Sequence, residues 1–85
     1  MPDYTIVLSK RAQKQLDKLN DVNAAPILFA IGDLGKNPRP RGFIKLKGRE
    51  GYRIRVGAYR IIYDIFDTEL LVDVIELGHR KEIYG

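Results

Sequence analysis

Tyr52-Arg53-Ile54-Arg55-Val56-Gly57-Ala58-Tyr59-Arg60-Ile61-Ile62-Tyr63 is the stretch that decides how this chain folds. Apolar and polar residues alternate on both sides of Gly57-Ala58, which predicts two β-strands joined by a two-residue turn, with Gly supplying the unusual backbone angles. That register sets Val56 opposite Tyr59, Arg55 opposite Arg60, Ile54 opposite Ile61 and Arg53 opposite Ile62. One face then carries Tyr52, Ile54, Val56, Tyr59, Ile61 and Tyr63 and requires a cover. The other carries Arg53, Arg55 and Arg60. Like charges directly opposite one another destabilise a sheet, so an anionic ligand, rather than stability, accounts for three guanidiniums on one patch.

Downstream, Asp67-Thr68-Glu69 turns the chain into a strand, Leu70 to Leu77. A two-residue Thr68-Glu69 turn puts Val72 and Val74 beside Ile65 and Tyr63 on the apolar face, where a one-residue slip would put Asp73. Upstream, Phe43 to Gly48 reads as an extended basic lead-in, preceded by a loop that Pro38 and Pro40 stiffen. At the start of the chain, Tyr4 to Leu8 is β-branched and aromatic and predicts a first strand. Ser9 is placed to cap an amphipathic helix with Ala12, Leu16 and Leu19 on its apolar stripe. A second helix, capped by Asp21 or Asn23 and with Pro26 in its first turn, repeats Ile27, Ile31 and Leu34, with Leu28, Phe29 and Ala30 widening the face. Gly35 reads as its C-terminal stop. The order β-α-α-β-β-β describes a single two-layer α+β domain over residues 1–85, its two N-terminal helices packed on a small, mostly antiparallel sheet. The opposite sheet face is expected to be open, with Arg53, Arg55 and Arg60 converging there with His79, Arg80 and Tyr84 of the tail.

Composition narrows the function classes. The chain has 85 residues, 45% apolar and 31% charged, which fits one small globular core. Its net charge of +4 is regional: residues 36–60 hold nine Lys/Arg against Glu50, for +8, so the other 60 residues sum to −4. Such a patch fits nucleic acid or an acidic protein partner. There is no cysteine and a single histidine, which counts against a zinc site, and no carboxylates cluster in the basic region at magnesium-site spacing. No metal or cofactor is expected. The longest apolar run, Ile27 to Ile31, is too short to span a bilayer. No basic segment leads into an apolar core at the N-terminus, so a cytoplasmic protein is expected.

The hairpin sequence, followed by a hydrophobic strand and Gly78-His79-Arg80-Lys81-Glu82-Ile83-Tyr84, resembles the RelE branch of the RelE/ParE toxin superfamily, the small toxins of type II toxin–antitoxin modules. The likeness extends over nearly the whole chain. It implies ribosome-dependent cleavage of messenger RNA, with the ribose 2′-OH attacking the adjacent phosphate to leave a 2′,3′-cyclic phosphate and a free 5′-OH without a metal. RelE-type toxins use a basic pair before the turn, an Arg after it, and an Arg and a Tyr in the tail. Those positions are filled here by Arg53 and Arg55, Arg60, Arg80 and Tyr84. The resemblance also implies a cognate antitoxin, acidic where it meets the basic face.

The residue types suit this chemistry independently. Negative charge develops on the phosphoryl and leaving oxygens, and guanidiniums match it in charge and donor geometry. Tyr84 can stack on a base or orient the nucleophile. Arg53 and Arg55 stand where some relatives carry Lys, and Arg is a poor base. His79, Tyr84 or the ribosome must then take the 2′-OH proton. Arg39, Arg41, Lys45, Lys47, Arg49 and Lys81 are read as contacts to RNA or the ribosome. Two alternatives stand beside this reading: a ParE-like gyrase inhibitor on the same fold, and an inactive binding relative.

Overall fold

The computed structural model describes residues 3–79. In chain order the elements are β1 (Thr5–Leu8), α1 (Lys10–Asp17), α2 (Asp21–Lys36), β2 (Ile44–Lys45), β3 (Tyr52–Val56), β4 (Tyr59–Phe66) and β5 (Leu71–His79). The strands form one sheet in the order β1-β5-β4-β3-β2, antiparallel except for the parallel pair β1 and β5. The α+β architecture expected from sequence is present. It gains a fifth strand: the basic lead-in pairs at the sheet edge, Ile44 with Arg53 and Lys45 with Tyr52.

The helices cover the tyrosine side of the sheet. Ala12 and Leu16 of α1 and Ile27, Ile31 and Leu34 of α2 pack with Ile54, Ile61, Tyr63, Val72, Val74 and Leu77 as the core. Tyr63 is fully buried, and its hydroxyl donates to the Pro38 carbonyl at 2.6 Å. That bond satisfies the one polar atom the ring brings inside. The same contact pins the proline loop to the sheet. Burial pushes the Tyr63 phenol up to about 12, so it stays protonated.

Local signals explain most boundaries. Ser9 caps α1 as expected, its hydroxyl accepting from the Ala12 N–H at 3.0 Å. Asn20, rather than Asp21 or Asn23, caps α2, accepting from the Asn23 N–H at 2.9 Å, so Pro26 falls in the second turn. Leu28 and Phe29 are exposed and do not widen the core face. Gly35 is not a stop: α2 continues through Lys36, and Gly35 is needed for close approach to β1. The Tyr4 N–H donates to its carbonyl at 2.7 Å, and a Cβ there would sit 3.1 Å from the Tyr4 carbonyl oxygen. Gly35→Val is expected to cost roughly 1–3 kcal/mol by overpacking this contact. Urea denaturation checks it, and an unchanged midpoint would show that the helix and strand can part.

The hairpin register is as the alternation predicts, with Val56 opposite Tyr59, Arg55 opposite Arg60, Ile54 opposite Ile61 and Arg53 opposite Ile62. The next hairpin also keeps its expected register, Tyr63 opposite Val74 and Ile65 opposite Val72. Then the ladder shifts. Ile62 pairs with Glu76, so Ile75 is an extra residue on β5 and every side chain after it changes face. Leu77 thereby enters the core opposite Ile61, and Glu76 turns to the arginine side. Beyond the end of β1, α1 takes over the β5 edge. The Ser9 hydroxyl donates to the Ile75 carbonyl, and the Leu77 N–H donates to Gln15 Oε1 at 2.8 Å.

Candidate RNA-binding and catalytic face

Alternation along β3 and β4 puts Arg53, Arg55 and Arg60 on the sheet face away from the helices. Arg55 stands directly opposite Arg60, and Gly78 faces Arg60 from the other side. In the neighbouring row, Ile62 lies between Arg53 and Glu76. This face is less open than the alternation implied: Arg53 is 8% exposed, Arg60 5% and Ile62 2%, whereas Arg55 is exposed. On this face Arg49 reaches from the loop before β3 to Glu76 of β5, two strands away from β3 in the sheet.

Desolvated guanidiniums act on a phosphate through a lower effective dielectric than in water, which strengthens each contact. They offer planar donors matched to phosphoryl oxygens. Arg53 and Arg55 also line a groove of about 500 Å³ with Arg41, between α2 and the part of β3 that β2 leaves uncovered. Its remaining walls are mainly apolar, including Ala30, Leu34, Ile44 and Ile54. The arrangement can hold a polyanion against the sheet beside an apolar recess.

Other sequence-predicted residues fall elsewhere. His79 does not converge with the arginines. The Ile75 bulge turns it to the helix side, opposite Tyr59, with ring centroids 5.7 Å apart and edge-to-face. Lys45 stands opposite Tyr52 on that same side, and Lys47 lies exposed in the loop after β2. Arg80, Lys81 and Tyr84 lie outside the described residues. Tyr63 is core, and Tyr52 and Tyr59 pack against it, as their place on the apolar side implied.

Arg39 is engaged at the far end of the sheet. It binds Asp67 through two nitrogens at 3.1 and 2.8 Å, and the Tyr4 hydroxyl donates to the same carboxylate at 2.6 Å. These bonds, the Arg39 pair first, hold the Asp67 carboxyl down at about 2, while the Tyr4 phenol is raised. The folded state thus binds this proton more weakly than the unfolded chain. Its contribution to stability is present above the ordinary carboxylate range and is lost as pH falls toward 2. Carboxyl NMR is expected to place the Asp67 midpoint near 2, and a midpoint near 4 would show that the Arg39–Asp67–Tyr4 contact does not form in solution.

Sequence reasoning missed Glu76, which the bulge brings onto the arginine face. The available signal was spacing: Val72, Val74 and Leu77 are two and then three residues apart, which a regular strand cannot place on one face.

Residues 6–84 match the sequence model of a family described as the ParE toxin of the type II toxin–antitoxin system, parDE. The chain is similar to Toxin RelG of Mycobacterium tuberculosis, 34% identical over 83 residues and covering 95% of each protein. It is similar in structure to a chain of the RelBE2 toxin–antitoxin complex of the same organism, with a TM-score of 0.79 and 32% identity over 92% of this chain and 99% of that one. A chain of the archaeal RelE–RelB complex of Pyrococcus horikoshii gives a TM-score of 0.81 with 28% identity, over 92% and 96%.

Proposed function

Because the chain belongs to the RelE/ParE toxin superfamily and is a RelE-like toxin of a type II toxin–antitoxin system, we propose that it is a ribosome-dependent endonuclease acting on messenger RNA in the cytoplasm. The observation that carries this reading is Arg55 held directly opposite Arg60, with Arg53 on the same face. Like-charge pairing across a ladder works against the fold. A phosphodiester whose charge grows in the transition state repays it.

In this reaction the 2′-OH attacks the neighbouring phosphorus, the P–O5′ bond breaks, and a 2′,3′-cyclic phosphate and a 5′-OH remain. No metal ion takes part. Arg53, Arg55 and Arg60 bind the phosphoryl oxygens and stabilise the developing charge, and Arg80 completes that set. Tyr84 orients or stacks on the nucleotide at the cut. Arg41, Lys47 and Arg49 hold RNA backbone around it.

The place of His79, its ring against Tyr59 on the helix side of the sheet, supports a reading in which it takes no part in the proton transfer. His79→Ala is expected to keep cleavage within about threefold of the parent, not to lose the ~10²–10⁴ that general acid–base catalysis supplies. Cleavage rates on programmed ribosomes check this, and a hundredfold loss, on the order of that contribution, would return His79 to the mechanism.

The partner is a cognate antitoxin, acidic where it covers the arginine face. Relatives solved as RelBE2 and RelE–RelB complexes support a partner of this kind. The ParE description of the matching family favours a second reading, inhibition of gyrase without RNA cleavage. Inducing the protein in cells and mapping message 5′ ends separates the two. Codon-positioned cuts support the endonuclease, whereas DNA damage with intact messages supports the gyrase inhibitor.

A further inference from the structure

The Ile75 bulge delivers one carboxylate, Glu76, to the arginine face, and its side chain is 14% exposed. Two guanidiniums bind it. Arg11 Nε lies 3.2 Å from Oε2 and Arg49 Nη1 lies 3.3 Å from Oε1. Arg11 comes from α1 and Arg49 from the loop between β2 and β3, so Glu76 fastens two distant segments at one edge of the face. The trio carries a net charge of +1. Each guanidinium has five N–H donors and gives one nitrogen to the carboxylate. Side-chain exposures of 71% for Arg11 and 50% for Arg49 leave other donors turned to solvent. Ion pairs whose guanidiniums stay this exposed are screened by solvent and add little to stability, which leaves orientation of the two forks as the larger consequence. Lys10, Lys14 and Lys18 share a shallow outer surface with Arg11. Basic charge therefore continues from the sheet face over the β5 edge onto α1.

We propose that Glu76 is a positioning residue that holds Arg11 and Arg49 as a paired clamp for an RNA phosphate, at the α1 edge of the arginine face. The inference rests on the RNA reading above and adds to it a second phosphate subsite that includes α1. A phosphodiester of the message or of ribosomal RNA supplies the same chemistry.

The test measures binding of the full-length protein to a short single-stranded RNA, 2′-O-methylated throughout so that it cannot be cut, across a salt series. Vacant and programmed ribosomes are measured in parallel. Arg11→Gln combined with Arg49→Gln is expected to flatten the slope of log affinity against log salt by about 1.4, two contacts at about 0.7 each on a single strand. Glu76→Gln is expected to weaken binding several-fold, although it removes a negative charge from a basic surface. Charge alone predicts the opposite sign, so tighter or unchanged binding by Glu76→Gln overturns the proposal. Where that variant fails to fold, the slope of the double variant decides. A loss seen on free RNA and programmed ribosomes assigns the clamp to the message, and a loss confined to ribosomes assigns it to ribosomal RNA; both support it. Binding left unchanged on free RNA and on vacant and programmed ribosomes, with weakened antitoxin binding, overturns it in favour of a protein contact. If the parent protein cleaves while Glu76→Gln binds as well or better, the clamp alone fails. If the parent neither binds nor cleaves, the endonuclease reading fails with it.

Discussion

Arg60→Gln is expected to lower message cleavage on programmed ribosomes by about 10²–10³-fold, the usual cost of removing one preorganised donor from a developing oxyanion. Arg60 sits on an interior strand, 5% exposed, with Arg55 on one side and Gly78 on the other. Its place in the ladder sets the face it occupies, and its burial restricts its side chain before substrate arrives. Gln keeps a polar end but removes the charge and the fork. The neighbouring change sharpens the test. Arg55 is exposed, and Arg55→Gln relieves direct like-charge opposition, so it is expected to raise stability by about 0.2–1 kcal/mol while cleavage falls. A gain in stability with a loss of activity is the signature of charge held for a ligand. Urea denaturation read beside primer extension checks both, and cleavage by Arg60→Gln within about tenfold of the parent would remove Arg60 from the transition state.

Leu77→Ala is expected to cost about 2–5 kcal/mol, the range for emptying a buried leucine site. Leu77 has no exposed surface and stands opposite Ile61, which also has none. For a domain whose stability is about 5–15 kcal/mol, such a loss is a large share of the total. This variant also tests the bulge. A regular ladder beyond Tyr63 and Val74 would aim Leu77 at the arginine face, where truncation is mild, and would aim Glu76 into the core. With the bulge the order reverses: Leu77→Ala is severe, and Glu76→Gln leaves the melting temperature near that of the parent. Thermal unfolding of the two variants decides, and comparable small shifts in both would contradict the register.

How much was legible followed the range over which each signal acts. The Gly57-Ala58 hairpin was readable because alternation and turn chemistry agree within a few residues, and the arginine face followed from that register. Ser9 announced its helix because a cap is a local contact. Gly35 was misread because its reason lies in a different element, the backbone of Tyr4. The second pair of β4 and β5 was right up to Val74 and wrong beyond it, since one extra residue inverts a period of two. That single inversion accounts for both site errors on β5: His79 placed among the arginines, and Glu76 overlooked. Arg39 was counted as diffuse basic charge because its partner, Asp67, is 28 residues away.

The central claim is that the arginine face cuts RNA on the ribosome by internal attack of the 2′-OH. Incubating purified protein with ribosomes programmed with a defined message, and analysing the ends produced, tests it most directly. The expected result is cutting at a fixed position in the codon, leaving a 5′-OH and a 2′,3′-cyclic phosphate, and lost with Arg60→Gln. Intact message under conditions where the protein arrests growth, or 5′-phosphate ends insensitive to Arg60, would contradict it.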